Sequence, residues 1–110
     1  MANTFSNQLT ANLPTSLQTV LTGPVGAGST TTVIGCSMSN TSASPITVDL
    51  AINTGAASIY LVKQATVPVG GALIAIGAEQ KLVLQPTQNL QARASSANTC
   101  DVVVSALTVS

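Results

Sequence analysis

Pro45-Ile46-Thr47-Val48-Asp49-Leu50-Ala51-Ile52-Asn53 decides the fold class of this chain, because Ile46, Val48, Leu50 and Ile52 alternate with Thr47, Asp49, Ala51 and Asn53. Successive side chains leave a pleated backbone on opposite sides, so a period of two marks a strand with one buried face. Working outward, Leu90, Ala92 and Ala94 alternate with Gln91, Arg93 and Ser95 after the turn-forming stretch Gln85-Pro86-Thr87-Gln88-Asn89, which predicts a second half-buried strand. Thr30-Thr31-Thr32-Val33-Ile34-Gly35-Cys36-Ser37-Met38-Ser39 is rich in β-branched residues. Ile34, Cys36 and Met38 form its expected inner row, and Gly35 marks a bulge or a close neighbour.

Further short apolar or alternating runs span 58–64, 71–76, 81–84 and 100–109, separated by Asn53-Thr54-Gly55, Pro68-Val69-Gly70-Gly71, Gly77-Ala78-Glu79-Gln80 and Ser95-Ser96-Ala97-Asn98. Convincing helical periodicity with caps is absent from the sequence. The pattern predicts an all-β fold: a single antiparallel β-sandwich or jelly-roll-like barrel of about eight short strands. Residues 1–16 read differently. They are rich in Asn, Ser, Thr and Gln, with Phe5, Leu9 and Leu13 every four residues and Pro14 interrupting. An extended N-terminal arm or edge strand over 1–16, followed by a sandwich over 17–110, is the expected organisation, and an unpaired strand edge invites pairing with another subunit.

Composition narrows function. Three Lys and Arg, three Asp and Glu and no His stand among 110 residues, 5% charged, against about 25% in ordinary globular proteins. The 45% apolar content excludes charge-driven disorder. The polar remainder is mostly Ser, Thr, Asn and Gln, which suits surfaces packed against other subunits, where charge is depleted. Lys63, Lys81 and Arg93 are dispersed along the chain, whereas phosphate recognition needs clustered cations, so no direct nucleic-acid partner is expected. Met1-Ala2-Asn3-Thr4-Phe5-Ser6-Asn7-Gln8 lacks the basic and apolar regions of a secretory signal, and no apolar run approaches a membrane span. Cytoplasmic synthesis without Sec-type export, and no membrane partner, are the expectations.

Catalytic equipment is thin. Asp49, Glu79 and Asp101 have no histidine to orient and no paired spacing for general acid and base work, and no GxSxG elbow occurs. No catalytic residue, metal or cofactor is assigned, and a non-enzyme is expected. Gly23-Pro24-Val25-Gly26-Ala27-Gly28-Ser29-Thr30 has the glycines of a phosphate loop but no lysine, and it enters a β-rich segment. It is read as a flexible hairpin loop. Asn40-Thr41-Ser42 matches a glycosylation acceptor but reads better as a strand connection. Cys36 and Cys100 are 64 positions apart, which excludes CxxC chemistry. Buried free thiols are expected ahead of a disulfide between an early strand and the last. Sugar-stacking platforms need aromatic faces, and only Phe5 and Tyr60 are present. The candidate assembly contacts are therefore Phe5, Leu9, Leu13 and Tyr60, with Phe5 as an anchor in a pocket and Tyr60 topping a strand.

Thr32-Val33-Ile34-Gly35-Cys36-Ser37-Met38-Ser39-Asn40, Pro45 to Leu50, Tyr60-Leu61-Val62-Lys63, Pro68-Val69-Gly70-Gly71-Ala72-Leu73 and Lys81-Leu82-Val83-Leu84 together resemble the small β-sandwich virion proteins of tailed bacteriophages. The resemblance covers most of the chain and consists of strand patterns and turns. It implies an accessory component in many symmetric copies on the capsid, the neck or collar, or the tail. The expected function is capsid decoration or cement that bridges neighbouring subunits, with a neck, collar or tail component as the close alternative. A host-receptor or carbohydrate-binding module is the rival from another class, and a pilus or surface-layer subunit a weaker third. Expected partners are further copies of the chain, as a trimer or higher ring, and other virion proteins such as major capsid or neck proteins.

Overall fold

A computed structural model describes residues 3–24, 27–76 and 81–109. The expected break at Gly77-Ala78-Glu79-Gln80 and the Val25-Gly26 step lie outside them. Among the described residues all regular structure is strand: β1 (Asn3–Thr10), β2 (Gln18–Thr22), β3 (Thr30–Asn40), β4 (Ile46–Asn53), β5 (Ser58–Val67), β6 (Ala72–Ile76), β7 (Leu82–Leu84), β8 (Asn89–Ala94) and β9 (Cys100–Val109). They form two antiparallel sheets. Sheet I runs β1-β9-β3, with β6 and β7 both paired to the far side of β3, and sheet II runs β2-β8-β4-β5.

The pairings are nested. The first strand pairs with the last (β1 with β9), the second with the next to last (β2 with β8), the third with β6 and β7 as one interrupted strand, and β4 with β5. A single long hairpin folded over onto itself gives this order, which is that of a jelly roll. The expected sandwich or jelly-roll-like fold is the one observed.

Two sheets packed face to face need inner rows that interdigitate. Sheet I contributes Val33, Cys36, Met38, Val102, Val104 and Ala106, and sheet II contributes Val48, Leu50, Leu90, Ala92 and Ala94, all at most 3% exposed. No aromatic side chain lies in this core. Burying each Val or Leu contributes about 1.5–3 kcal/mol, and the interspersed alanines let the larger side chains of the facing sheet interlock.

Register shifts reset the alternation where the sequence pattern fails. In β3 the pairing to β9 slips between Val33 and Gly35, so the inner row runs Val33, Cys36, Met38 and Ile34 is only half-buried. The expected inner row Ile34, Cys36, Met38 is thus corrected at its first member: Gly35 does mark a bulge, and the extra residue moves the phase by one. Strand β2 was not foreseen, because its own bulge between Thr19 and Leu21 buries Val20 and Leu21 consecutively and erases the period of two. The glycine-rich stretch before β3 is not a hairpin loop either. It carries the chain from β2 in sheet II to β3 in sheet I, with Gly28 in the left-handed region at φ 85°.

Of the expected arm over 1–16, residues 3–16 are part of the sandwich. β1 pairs with β9 over eight consecutive positions, Asn3 opposite Val109 through Thr10 opposite Val102, as the edge strand of sheet I. Asn12, at φ 57°, then turns the chain inward. Leu13 is completely buried in the core, with its N–H donating to Cys100 O and its carbonyl accepting from Asn98 N.

Gly23 is buried where β2 ends, and its N–H donates to Asn89 Oδ1 at 3.0 Å. A Cβ at this position would lie 1.8 Å from the Gln88 carbonyl oxygen. Gly23→Ala is therefore expected to destabilise the fold by about 2 kcal/mol or more, measured as a lower urea midpoint at unchanged slope.

Candidate functional site

The outer faces of the two sheets are chemically unlike, and the difference begins at Asp49. This residue projects from β4 on the outer side of sheet II yet is only 6% exposed. Opposite it, β5 bulges: Val48 pairs with Ala65 and Leu50 with Val62, so Lys63 and Gln64 together face Asp49. Gln64 adopts a left-handed conformation, φ 54°, and its N–H donates to Asp49 Oδ1 at 2.6 Å. Arg93 on β8, in register with Asp49, donates from Nε to Oδ2 at 2.5 Å. The carboxylate thus satisfies an N–H that the distorted ladder leaves over and holds two neighbouring strands together.

Tyr60 covers this pair. Lys63 Nζ lies 4.2 Å from the ring centroid and the Arg93 guanidinium carbon 5.9 Å, within cation–π range. Lys63 and Arg93, dispersed in sequence, therefore share one aromatic ring. Beside them a polar cleft of about 200 Å³ is lined by Thr15, Thr47, Asp49, Gln64, Arg93 and Ser95. Burial raises the Asp49 pKa, but the Gln64 N–H, the Arg93 hydrogen bond and the charges of Arg93 and Lys63 outweigh it and hold the carboxyl below its ordinary value. With both oxygens engaged it serves as a structural anion and is poorly placed to accept a proton.

Sheet I presents the opposite character. Its outer side carries two cross-strand rows. One runs Leu9, Val103, Ser37, Ile74 across β1, β9, β3 and β6, and the other runs Phe5, Leu107, Thr32, Val83 across β1, β9, β3 and β7. Between them lies a row of small or polar residues, Asn7, Ser105 and Gly35. Phe5 is 73% exposed, Leu9 67%, Ile74 65%, Val83 48% and Val103 45%. Five of the seven exposed large hydrophobics among the described residues thus share this one face, the others being Ile59 and Val69. Asp101 is the one charged residue of β1, β3 and β9, and its Oδ1 accepts from Asn12 N at 3.0 Å. Next to Leu9 and Val103 a groove of about 230 Å³ opens, with Thr10, Ala11, Asp101 and Val102 as its other walls. A contiguous apolar area of this kind on a folded chain marks an interaction surface.

The four sequence-derived contact residues do not form one patch. Phe5 and Leu9 lie together on the outer side of sheet I, Tyr60 lies on the outer side of sheet II, and Leu13 is at 0% exposure in the core. Leu13 is corrected from an assembly contact to a core residue, because the every-fourth spacing that linked it to Phe5 and Leu9 is broken by the turn at Asn12. Ile74, Val83, Val103 and Leu107 were missed. Their signal is cross-strand, and only the register makes a row of them. Asn40 is 6% exposed and is an Asx turn, as its sequence suggests: its Oδ1 accepts from Ser42 N, and its Nδ2 donates to Ser44 O and Val67 O.

Cys36 and Cys100 are free and buried. Burial, and the neighbouring Cys100, push the Cys36 thiol up to about 12, while burial and the adjacent Asp101 push Cys100 to about 11. Among the described residues no three His, Cys, Asp or Glu side chains converge as a metal site.

No protein-family model matches the chain, and no curated protein matches its sequence. Among solved structures it is similar to the subunit of Bacillus endospore appendages, a family of disulfide-linked pili, at 10% identity and TM-score 0.50, over 97% of this chain and 89% of that one. At such identity the likeness shows a shared fold alone. A pentameric capsid protein from metagenomic phage sequences aligns at 19% identity and TM-score 0.42, over 94% of this chain and 58% of that one, or 60% in a second structure of such a protein. The chain spans about three fifths of that protein, and the overlap is too loose to carry an argument.

Two outcomes are expected. Asp49→Ala leaves the Gln64 N–H and Arg93 without their acceptor and should cost about 2 kcal/mol, read by urea unfolding at neutral pH. Because the folded carboxyl titrates below the unfolded one, its contribution is complete above the ordinary Asp value of about 4 and is lost as pH falls through the lower folded value. Asp49→Asn should therefore flatten the acid limb of the stability profile. Separately, Ellman's reagent at pH 8 should find neither thiol in the native protein and both after unfolding, since only exposed thiolate reacts.

Proposed function

We propose that this chain is a non-enzymatic structural subunit of a tailed-phage virion: a capsid decoration or cement protein that associates with copies of itself and with major capsid subunits. The observation that carries this reading is the apolar, charge-poor outer side of sheet I. A chain with so few charges that also displays Phe5, Leu9, Ile74, Val83 and Val103 in ordered rows keeps its solubility by covering them with protein. The resemblance of its strand and turn motifs to small virion proteins supplies the setting. Avidity on a lattice then lets modest contacts hold.

The carbohydrate-binding alternative finds less support. Stacking a sugar requires a bare aromatic face, and the Tyr60 ring already has Lys63 at 4.2 Å. A pilus-type assembly held by disulfides, as described for the endospore appendages, would need accessible thiols, whereas Cys36 and Cys100 are 2% and 0% exposed. Association of this chain is non-covalent.

Light scattering should show mass rising above the 10.9 kDa monomer with concentration, and Leu9→Lys combined with Ile74→Lys should restore the monomer without loss of fold. Cryo-electron microscopy of virions carrying the chain should show repeated sandwich density on capsomers. A single ring at the neck would place it there instead, and a monomer at every concentration, with no density on the particle, would overturn the reading.

A further inference from the structure

We infer that the outer side of sheet I closes on the same surface of a second copy, face to face, with Phe5 of each copy entering the groove beside Leu9 and Val103 of the other. This deepens the assembly reading and rests on it. The second copy is the occupant that the surface specifies. A partner chosen by charge would need complementary charges, and no residue in the three rows is charged; Asp101, in the groove wall, is already engaged by Asn12 N. A knob and a hole also occur on the same surface. Phe5, the one phenylalanine of the chain, stands 73% exposed four residues along β1 from Leu9, a distance of about 13 Å, and the groove of about 230 Å³ at Leu9 and Val103 accommodates a phenyl ring.

Symmetry joins the two. A two-fold axis lying along the small-residue row Asn7, Ser105, Gly35 places the Phe5–Leu107 row of one copy on the Leu9–Val103 row of the other, and the reverse, because residues 5 and 9 on β1, and 107 and 103 on β9, are equidistant from that row. The contact is isologous and closed, and Ser105 lies on the axis and so faces its own copy. Four strands at about 4.8 Å spacing and some eight residues of length give a planar footprint on the order of 500 Å² per copy, below the roughly 800 Å² of a standard interface. The isolated dimer is accordingly weak and concentration-dependent, and gains firmness only when other contacts act with it.

Mixing complementary variants tests this geometry. Leu107→Lys alone and Val103→Asp alone should each weaken self-association at least tenfold by sedimentation equilibrium. An equimolar mixture should recover a heterodimer, since one contact pairs Lys with Asp and the other remains wild-type. Both positions sit on β9, an inner strand, so pairing through the β1 edge cannot produce the rescue. In parallel, Ser105→Cys should cross-link through a short bismaleimide while Thr66→Cys, on β5 of sheet II, should not; the buried native thiols leave the introduced one as the site of reaction. Oligomers that form without rescue and without the Ser105→Cys cross-link would overturn the face-to-face arrangement while leaving the structural-subunit reading intact. A wild-type chain that stays monomeric at millimolar concentration would overturn both.

Discussion

The packing of two all-aliphatic inner faces governs the rest of this molecule. With no aromatic ring in the core, the sheets are held by Val, Leu, Ile, Met, Cys and Ala side chains whose shapes must interlock, since protein interiors are close-packed and tolerate few voids. Each strand must therefore keep its inward row in phase, and where the backbone would lose phase a bulge restores it. The bulges in β2, β3 and β5 are best understood in this way. They let Val20 and Leu21, Val33 and Cys36, and Val62 and Ala65 all meet the layer that needs them.

Those bulges have consequences on the outside. The one in β5 leaves an N–H to be satisfied, and Asp49 meets it from β4 while drawing in Arg93, which in turn approaches Tyr60. Three of the chain's six charged residues, Asp49, Lys63 and Arg93, thereby gather on the outer side of sheet II. Sheet I has no comparable distortion in β1 or β9 and receives almost no charge. The asymmetry between a dressed face and a bare one follows from where the backbone irregularities fall.

Much of the fold was legible from local pattern. The alternation in 46–52 and 90–95 identified strands correctly, the run up to Met38 was read with a bulge at the right glycine, and the turn signals at Asn53-Thr54-Gly55 and Pro68 to Gly71 separate observed strands. What failed were properties that depend on distant pairing. Leu13 lies in line with Phe5 and Leu9 on paper, yet Asn12 turns it into the core. Lys63 and Arg93 are thirty positions apart in sequence and adjacent in space only because β4 lies between β5 and β8. Ile74, Val83 and Val103 look unremarkable singly, since an isolated exposed apolar residue is common, and become a surface only through the register of sheet I.

The interrupted partner of β3 has a consequence of its own. Along one margin of sheet I, β3 pairs with β7 up to Val33 and with β6 from Cys36 onward, so that margin is built from two short pieces and cannot guide an incoming strand over its whole length. The opposite margin, β1, is continuous for eight residues. A sheet with one competent end and one blunted end has a polymerisation valence of one along that direction: it admits a single addition and then stops, a safeguard against running on into fibres.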